Sequence, residues 1–244
     1  MMSPERTIVA CLGSSSTAGK GQAFDWIAEL RRRPRNGQFE FRNFGVGGDL
    51  AYNALQRLPD VLACRPDKVI VWVGGNDVLT LVSRKVRRFF TFCKRLPRTP
   101  SPDWFHENLA EITRRLKRET ADIGLCSLPP IGEAPDSDDP FQSELNRRIK
   151  EYSGIVAAIA HEEHCGYVPL HEALTEAVRA SPGRAYTAFK FLAFYRDAFR
   201  VLVLRQRPDD VARVKGWLFH TDGVHLNSRA GLIVADRLQK FVQA

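Results

Sequence analysis

Thr7-Ile-Val-Ala-Cys-Leu-Gly-Ser-Ser-Ser-Thr-Ala-Gly19 is the stretch on which the reading of the chain turns. A run of β-branched and apolar residues breaks at Gly13 into Ser14, Ser15, Ser16 and Thr17, then Ala18 and a second glycine. From Gln22 to Arg33 the apolar positions Phe24, Ile27, Ala28 and Leu30 fit one helical face. The order is strand, tight turn, helix. A serine in such a turn stands at the C-terminal edge of a sheet, beside the positive end of a helix. Backbone N–H groups there can stabilise a developing oxyanion. Ser15 is accordingly read as a nucleophile whose partners must come from elsewhere in the chain.

Two other readings compete for this turn. Gly19-Lys20 is like the end of a phosphate-binding P-loop, but that motif needs a glycine at position 14 and Ser or Thr directly after the lysine. Those positions hold Ser14 and Gly21. A flavodoxin-like module binding phosphate or flavin at Gly13 to Gly19, without hydrolytic activity, is the alternative from another functional class. A polar loop with no chemistry is the third reading.

At 244 residues, 44% hydrophobic and 26% charged, the chain has the length and composition of one globular domain with an ample core. No run is long enough for a membrane span, and Met1 to Arg6 lack the succession of a signal peptide, so the cytoplasm is the expected compartment. Cys11, Cys64, Cys93, Cys126 and Cys165 are dispersed and odd in number, which favours neither a disulfide framework nor a zinc site. The net charge of +8 gathers at Arg31 to Arg33, Arg84 to Arg98 and Arg114 to Arg118. No nucleic-acid motif accompanies these clusters, so specific nucleic-acid recognition is not expected. The charge reads first as solubilising, then as a preference for an anionic surface or substrate.

The remaining strands follow in alternation with helices. Phe39-Glu-Phe-Arg-Asn-Phe-Gly45 reads as a second strand running into the turn Gly45-Val-Gly-Gly-Asp49. A helix through Ala54, Leu55 and Leu58 follows, which Pro59 bends or stops. Lys68-Val-Ile-Val-Trp-Val-Gly74 has the continuous apolar character of a parallel strand covered on both faces, and ends in Gly74-Gly-Asn-Asp77. Residues 84–100 are basic and aromatic, with no structure assigned. Ser101-Pro102-Asp103 is a helix start, with Ser101 as cap. A fourth strand spans 121–129, residues 133–140 read as an acidic loop, a helix spans 141–163, and a short strand spans 167–170. This pattern predicts a doubly wound α/β fold whose ligands sit outside the carboxyl ends of a parallel sheet. Residues 181–219 break the alternation with interleaved aromatic and basic residues. They read as a helical hairpin packed on the domain, or as a cap over the site. A face touching a membrane surface is a further reading of this segment, and not the favoured one.

The last landmark is Asp222-Gly-Val-His225, in a loop before the helix Ser228 to Val242. Acyl transfer needs a nucleophile, a base, a group orienting that base, and oxyanion donors. Ser15, His225 and Asp222 can fill the first three roles. The N–H groups of Ser15 and Gly48 and the amide of Asn76 can form the oxyanion hole. Taken singly, the glycines turn the chain, Asn76 caps a helix and Asp222 shapes a loop; together, at these strand ends, they form a site.

At this point the chain resembles the SGNH (GDSL-type) hydrolases, over nearly its whole length. Leu12 to Gly19 is similar to the first block of that family, placing its nucleophile on Ser15. Asn43 to Asp49 is similar to the second, with the oxyanion glycine on Gly48. Gly74 to Asp77 is similar to the third, with the oxyanion amide on Asn76, and Asp222 to His225 to the last. The resemblance implies a flavodoxin-like three-layer α/β/α sandwich with a central parallel sheet of about five strands. It also implies hydrolysis of small-molecule or lipid carboxylic esters with no metal or organic cofactor. Acyl transfer to a sugar or lipid acceptor is the variant within the same class. The family's usual Asp before the nucleophile is Ser14 here; Ser15 keeps the family's spacing between Gly13 and Thr17. Lys20, His161, His164 and His171 are read as structural or solvent-facing, and His220, near the catalytic loop, as open to a substrate role that is not the favoured reading. Acyl length, alcohol and oligomeric state are not legible.

Overall fold

The computed structural model describes residues 6–119 and 122–244, with the backbone alone for Phe194. Residues 1–5, and Ala121 at the expected start of the fourth strand, lie outside the described residues. Strand β1 (Thr7–Gly13) leads through the single helical turn α1 (Ser15–Ala18) to α2 (Trp26–Arg32) and β2 (Phe39–Gly45). Helices α3 (Ala51–Gln56) and α4 (Leu58–Leu62) precede β3 (Lys68–Trp72). Then come α5 (Gly75–Val82), α6 (Arg84–Cys93), α7 (Pro102–Lys117), β4 (Asp122–Cys126) and α8 (Pro140–Glu162). Strand β5 (Gly166–Val168) is followed by α9 (Leu170–Ala180), α10 (Phe191–Leu202), α11 (Pro208–Lys215) and α12 (Ser228–Gln243).

The sheet is fully parallel in the order β2-β1-β3-β4-β5. Side chains of one strand alternate between two cores, which is why the strands read as continuous apolar runs rather than alternating ones. Ala10 and Leu12 of β1, with Val69 and Val71 of β3, pack on one face against α3, α5, α7 and α8. Val9, Cys11, Ile70 and Trp72 pack on the other against α2, α9 and α12. This is the α/β/α sandwich expected from the sequence. The chain steps from β1 to β2 on one side and returns to β3 on the other, so the sheet's switch point lies between β1 and β3, where clefts open in such folds.

Several local expectations are refined. The helix after the serine turn starts at Trp26 rather than Gln22. Gly19 and Gly21 adopt left-handed φ of 61° and 65°, and Asp25 caps the helix by accepting a bond from the Ala28 N–H at 2.8 Å. The helix near Pro59 breaks at Arg57 and restarts with Pro59 in its first turn, where the missing N–H costs nothing. Ser101 caps α7, its Oγ accepting from the Trp104 N–H at 3.1 Å. Strand β5 ends at Val168 and α9 starts at Leu170, directly after Pro169. Residues 84–93, unassigned from sequence, form α6.

Candidate active site

Ser15, Gly48 and Asn76 each follow a different strand, β1, β2 and β3, at the carboxyl edge of the sheet. His225 and Asp222 reach the same edge from the loop between α11 and α12. His225 Nε2 lies 2.9 Å from Ser15 Oγ, across 210 positions of sequence. Its Nδ1 lies 2.9 Å from Asp222 Oδ2. The second carboxylate oxygen, Oδ1, accepts the backbone N–H groups of Val224 and His225 at 2.9 and 2.8 Å. Asp222 is thus fixed from its own loop, and its other oxygen is aimed at the ring. Gly223 makes this turn possible: its φ is 92°, and a Cβ there would meet the Tyr186 and Trp217 rings at 2.5 and 2.7 Å.

Electrostatics follow from this geometry. Burial by itself raises the Asp222 carboxyl and disfavours the His225 imidazolium. The pair's mutual attraction, with the N–H bonds to Asp222, outweighs that burial. Asp222 is held down at about 2, and His225 is raised above the usual 6.5.

The three expected oxyanion donors face one cavity of about 370 Å³, together with Ser15 and His225. Ser15 is the first residue of α1, so its N–H has no intrahelical acceptor. Among the described residues nothing accepts from the Ser15 or Gly48 N–H. Asn76 donates one amide hydrogen to the Asp49 carbonyl at 2.9 Å, leaving its second for the cavity. Gly48 has φ of 78°, and a Cβ there would lie 2.9 Å from Lys94 Cε and 3.1 Å from the Phe90 ring.

Sequence reasoning missed the residues that hold these groups. Asp49 is buried, and its carboxylate accepts from Arg57 Nε and Lys94 Nζ, both at 2.8 Å. Lys94 also donates to the Gly47 carbonyl at 2.6 Å, and Arg57 to the Phe44 carbonyl at 3.0 Å. Asp49 therefore ties the Gly47–Gly48 turn to Asn76 through its carbonyl, and to α3 and α6 through its side chain. Asp77 is buried, and burial pushes its carboxyl up to about 7, partly offset by the Ala51 N–H.

The largest omission is Glu133, read from sequence only as part of an acidic loop and fully buried in the structure. Its carboxylate accepts the backbone N–H groups of Leu218, Phe219 and His220 at 2.6 to 3.0 Å. It also faces His220 Nδ1 at 3.1 Å, while His220 Nε2 faces the Pro130 carbonyl at 3.0 Å. Burial raises the Glu133 carboxyl, but the His220 contact and these N–H bonds bring it below the usual range. His220 is thus part of the support of the 218–225 loop. His171 is also structural, its Nδ1 3.1 Å from the Leu128 carbonyl. Lys20 lies exposed at the cavity rim. Among the described residues no group of His, Cys, Asp or Glu is arranged to hold a metal ion, and all five cysteines are free.

A hydroxyl, an imidazole and a carboxylate thus stand in hydrogen-bonded series at the switch point of a doubly wound sheet, beside the N–H groups of Ser15 and Gly48, an arrangement chemically able to carry out acyl transfer. Comparison with known proteins agrees. The model of the GDSL-like Lipase/Acylhydrolase family matches residues 11–190, and the chain belongs to that family of carboxylic ester hydrolases. Solved structures share the fold. The acetyl xylan esterase AlAXEase matches with TM-score 0.62 and 20% identity, over 96% of this chain and 99% of its own. The acetylxylan esterase Axe2 from Geobacillus stearothermophilus matches with TM-score 0.64 and 17% identity, over 98% and 94%. The alpha/beta hydrolase LAE5 from the metagenome of Lake Arreo, Spain, matches with TM-score 0.63 and 17% identity, over 97% and 95%. Three structures of Axe2 are of catalytic mutants, in which a serine, an aspartate or a histidine is replaced by alanine. No curated protein matches the chain significantly.

Proposed function

We propose that Ser15 attacks the ester carbonyl while His225 takes its proton, giving an acyl-enzyme on Ser15 that water resolves. The bond that forms is Ser15 Oγ to the carbonyl carbon; the bond that breaks releases the alcohol, protonated by His225. The same imidazole then activates water for the second half. Asp222 holds the ring with Nδ1 protonated and stabilises its cationic form. The Ser15 and Gly48 N–H groups and the Asn76 amide receive the oxyanion. The observation that carries this reading is the unbroken series Ser15–His225–Asp222 at 2.9 Å per link. The catalytic mutants of Axe2 fit the same set of residue types.

The cavity suggests the acyl group. Away from Lys20, Gln22 and Lys94 its walls are mainly Leu79, Phe89, Phe90, Phe189, Phe191 and Tyr195, so it suits an extended apolar chain better than acetyl. Residues 181–219 supply α10 to this wall, and we read them as a cap. Each methylene buried contributes about 0.8 kcal/mol, so kcat/KM should rise by up to about fourfold per carbon until the cavity is full. A series of p-nitrophenyl esters from acetate to decanoate tests this: release should show an initial burst and climb with chain length. Absence of hydrolysis across the series would refute the enzyme reading, and a maximum at acetate would refute the chain-length reading.

The base must be neutral to work, and the Asp222 carboxylate favours the protonated ring. The acid limb of kcat/KM should therefore lie above 6.5, the ordinary imidazole value. Asp222→Asn removes that attraction, so the limb should move to lower pH, with the rate falling by about 10⁴ through loss of the oriented tautomer. A limb that stays in place in the Asp222→Asn protein, measured over a pH series, would argue against the pair.

A further inference from the structure

The positive charge of this protein is concentrated on the two segments that carry aromatic walls of the cavity. Residues 84–98 and 187–207 carry twelve of the 36 basic residues and one of the 28 acidic ones, so the rest of the chain is at −3 against a total of +8. The single acid, Asp197, is buried and paired with Lys215. Of the twelve bases, only Lys94 and Arg98 have carboxylate partners among the described residues. Elsewhere carboxylate pairing is more frequent among the described residues, Arg114, Arg115, Arg147 and Arg148 being paired with glutamates on their own or neighbouring helices.

The same two segments hold most of the exposed apolar surface. Of the twelve large hydrophobic residues exposed among the described ones, eight lie on them. Phe92 is 84% exposed, Leu192 85%, Leu202 62%, Val203 60% and Leu204 55%. The two helices meet over the cavity, where the Phe89 and Phe191 rings are 5.2 Å apart in an edge contact. Helix α10 reaches back to the serine turn, with Leu202 placed 3.8 Å or less from where a Gly21 side chain would start.

We propose that α6, α10 and the 203–207 segment form a docking face for an anionic lipid surface, with the cavity opening toward the bilayer. Unpaired cations beside exposed aliphatic and aromatic side chains match what a helix lying in a headgroup layer presents. Charge complementarity selects the occupant. A second copy would set two strongly positive faces against each other. A nucleic acid would satisfy the cations but leave Leu192, Leu202, Val203 and Leu204 without a counterpart. The face does not involve Ser15, so docking and hydrolysis are separable.

The test is flotation with vesicles of equal phosphatidylglycerol and phosphatidylcholine, against vesicles of phosphatidylcholine alone. The full chain should float with the first, by a factor of about ten or more over the second, and lose that preference at high salt. Phe92→Asp combined with Leu192→Asp should abolish flotation while leaving hydrolysis of a soluble short ester unchanged. The Ser15→Ala protein should float as well as the parent. Equal partitioning to both vesicles would overturn the proposal. So would binding to a DNA duplex that the double variant retains, or a dimer in sedimentation that the double variant dissolves.

Discussion

The Ser15→Ala protein is expected to fold normally and to lose ester hydrolysis by about 10⁴- to 10⁶-fold, leaving only what binding and the oxyanion donors supply. Ser15 opens a one-turn helix and is only half-buried, and its Oγ bonds to His225 Nε2. Alanine keeps the turn and removes one bond, so the thermal midpoint should barely move. His225→Ala should cost about as much activity. The double variant should cost no more than either, because in the proposed mechanism nucleophile and base act as one unit. Additive losses in kcat, measured with one soluble ester, would mean that the two residues do not share a step.

Glu133→Ala is expected to have the largest effect on stability. One buried carboxylate meets three consecutive backbone N–H groups and the His220 ring, and among the described residues nothing else accepts from those three N–H groups. Removing it leaves three buried backbone N–H groups and a ring nitrogen without their acceptor, a loss of about 4 kcal/mol or more. For a chain of this size that corresponds to a fall in thermal midpoint of roughly 10 °C. Because Leu218 to His220 lead directly into Asp222 and His225, kcat should fall as well, even below the new midpoint. Glu133→Gln keeps one acceptor and loses the charge, and should fall between. An unchanged midpoint in Glu133→Ala, by differential scanning calorimetry, would show that the loop is held by other means.

The contrast between these two residues shows what the sequence makes legible. Ser15, Gly48 and Asn76 stand in short blocks at strand ends, where small residues and a break in apolar periodicity mark a turn, and Asp222 and His225 share one short block before the last helix. The fold was legible for the same reason: residues 7–13 and 68–72 are apolar at both parities because both faces are covered. Glu133 gives no such signal. In Gly-Glu-Ala-Pro-Asp-Ser-Asp-Asp it is one acid among several, and only the return of residues 218–220, some 85 positions later, buries it. Asp49, Arg57 and Lys94 were hidden likewise, since their pairing spans three elements. Helix α6 was unassigned although Val86, Phe89, Phe90 and Cys93 share one helical face, because the dense arginines and Phe92, which lies off that face, obscured the stripe. In the structure Phe90 turns inward to the Gly48 turn, whereas Phe92 faces out.

The most direct measurement is the site of acylation. Rapid acid quench of the protein with p-nitrophenyl octanoate, followed by peptide mass mapping, should place one octanoyl group on Ser15, absent from the Ser15→Ala protein. Label on Ser14 or Ser16, or turnover with no acylated peptide at any quench time, would contradict the account.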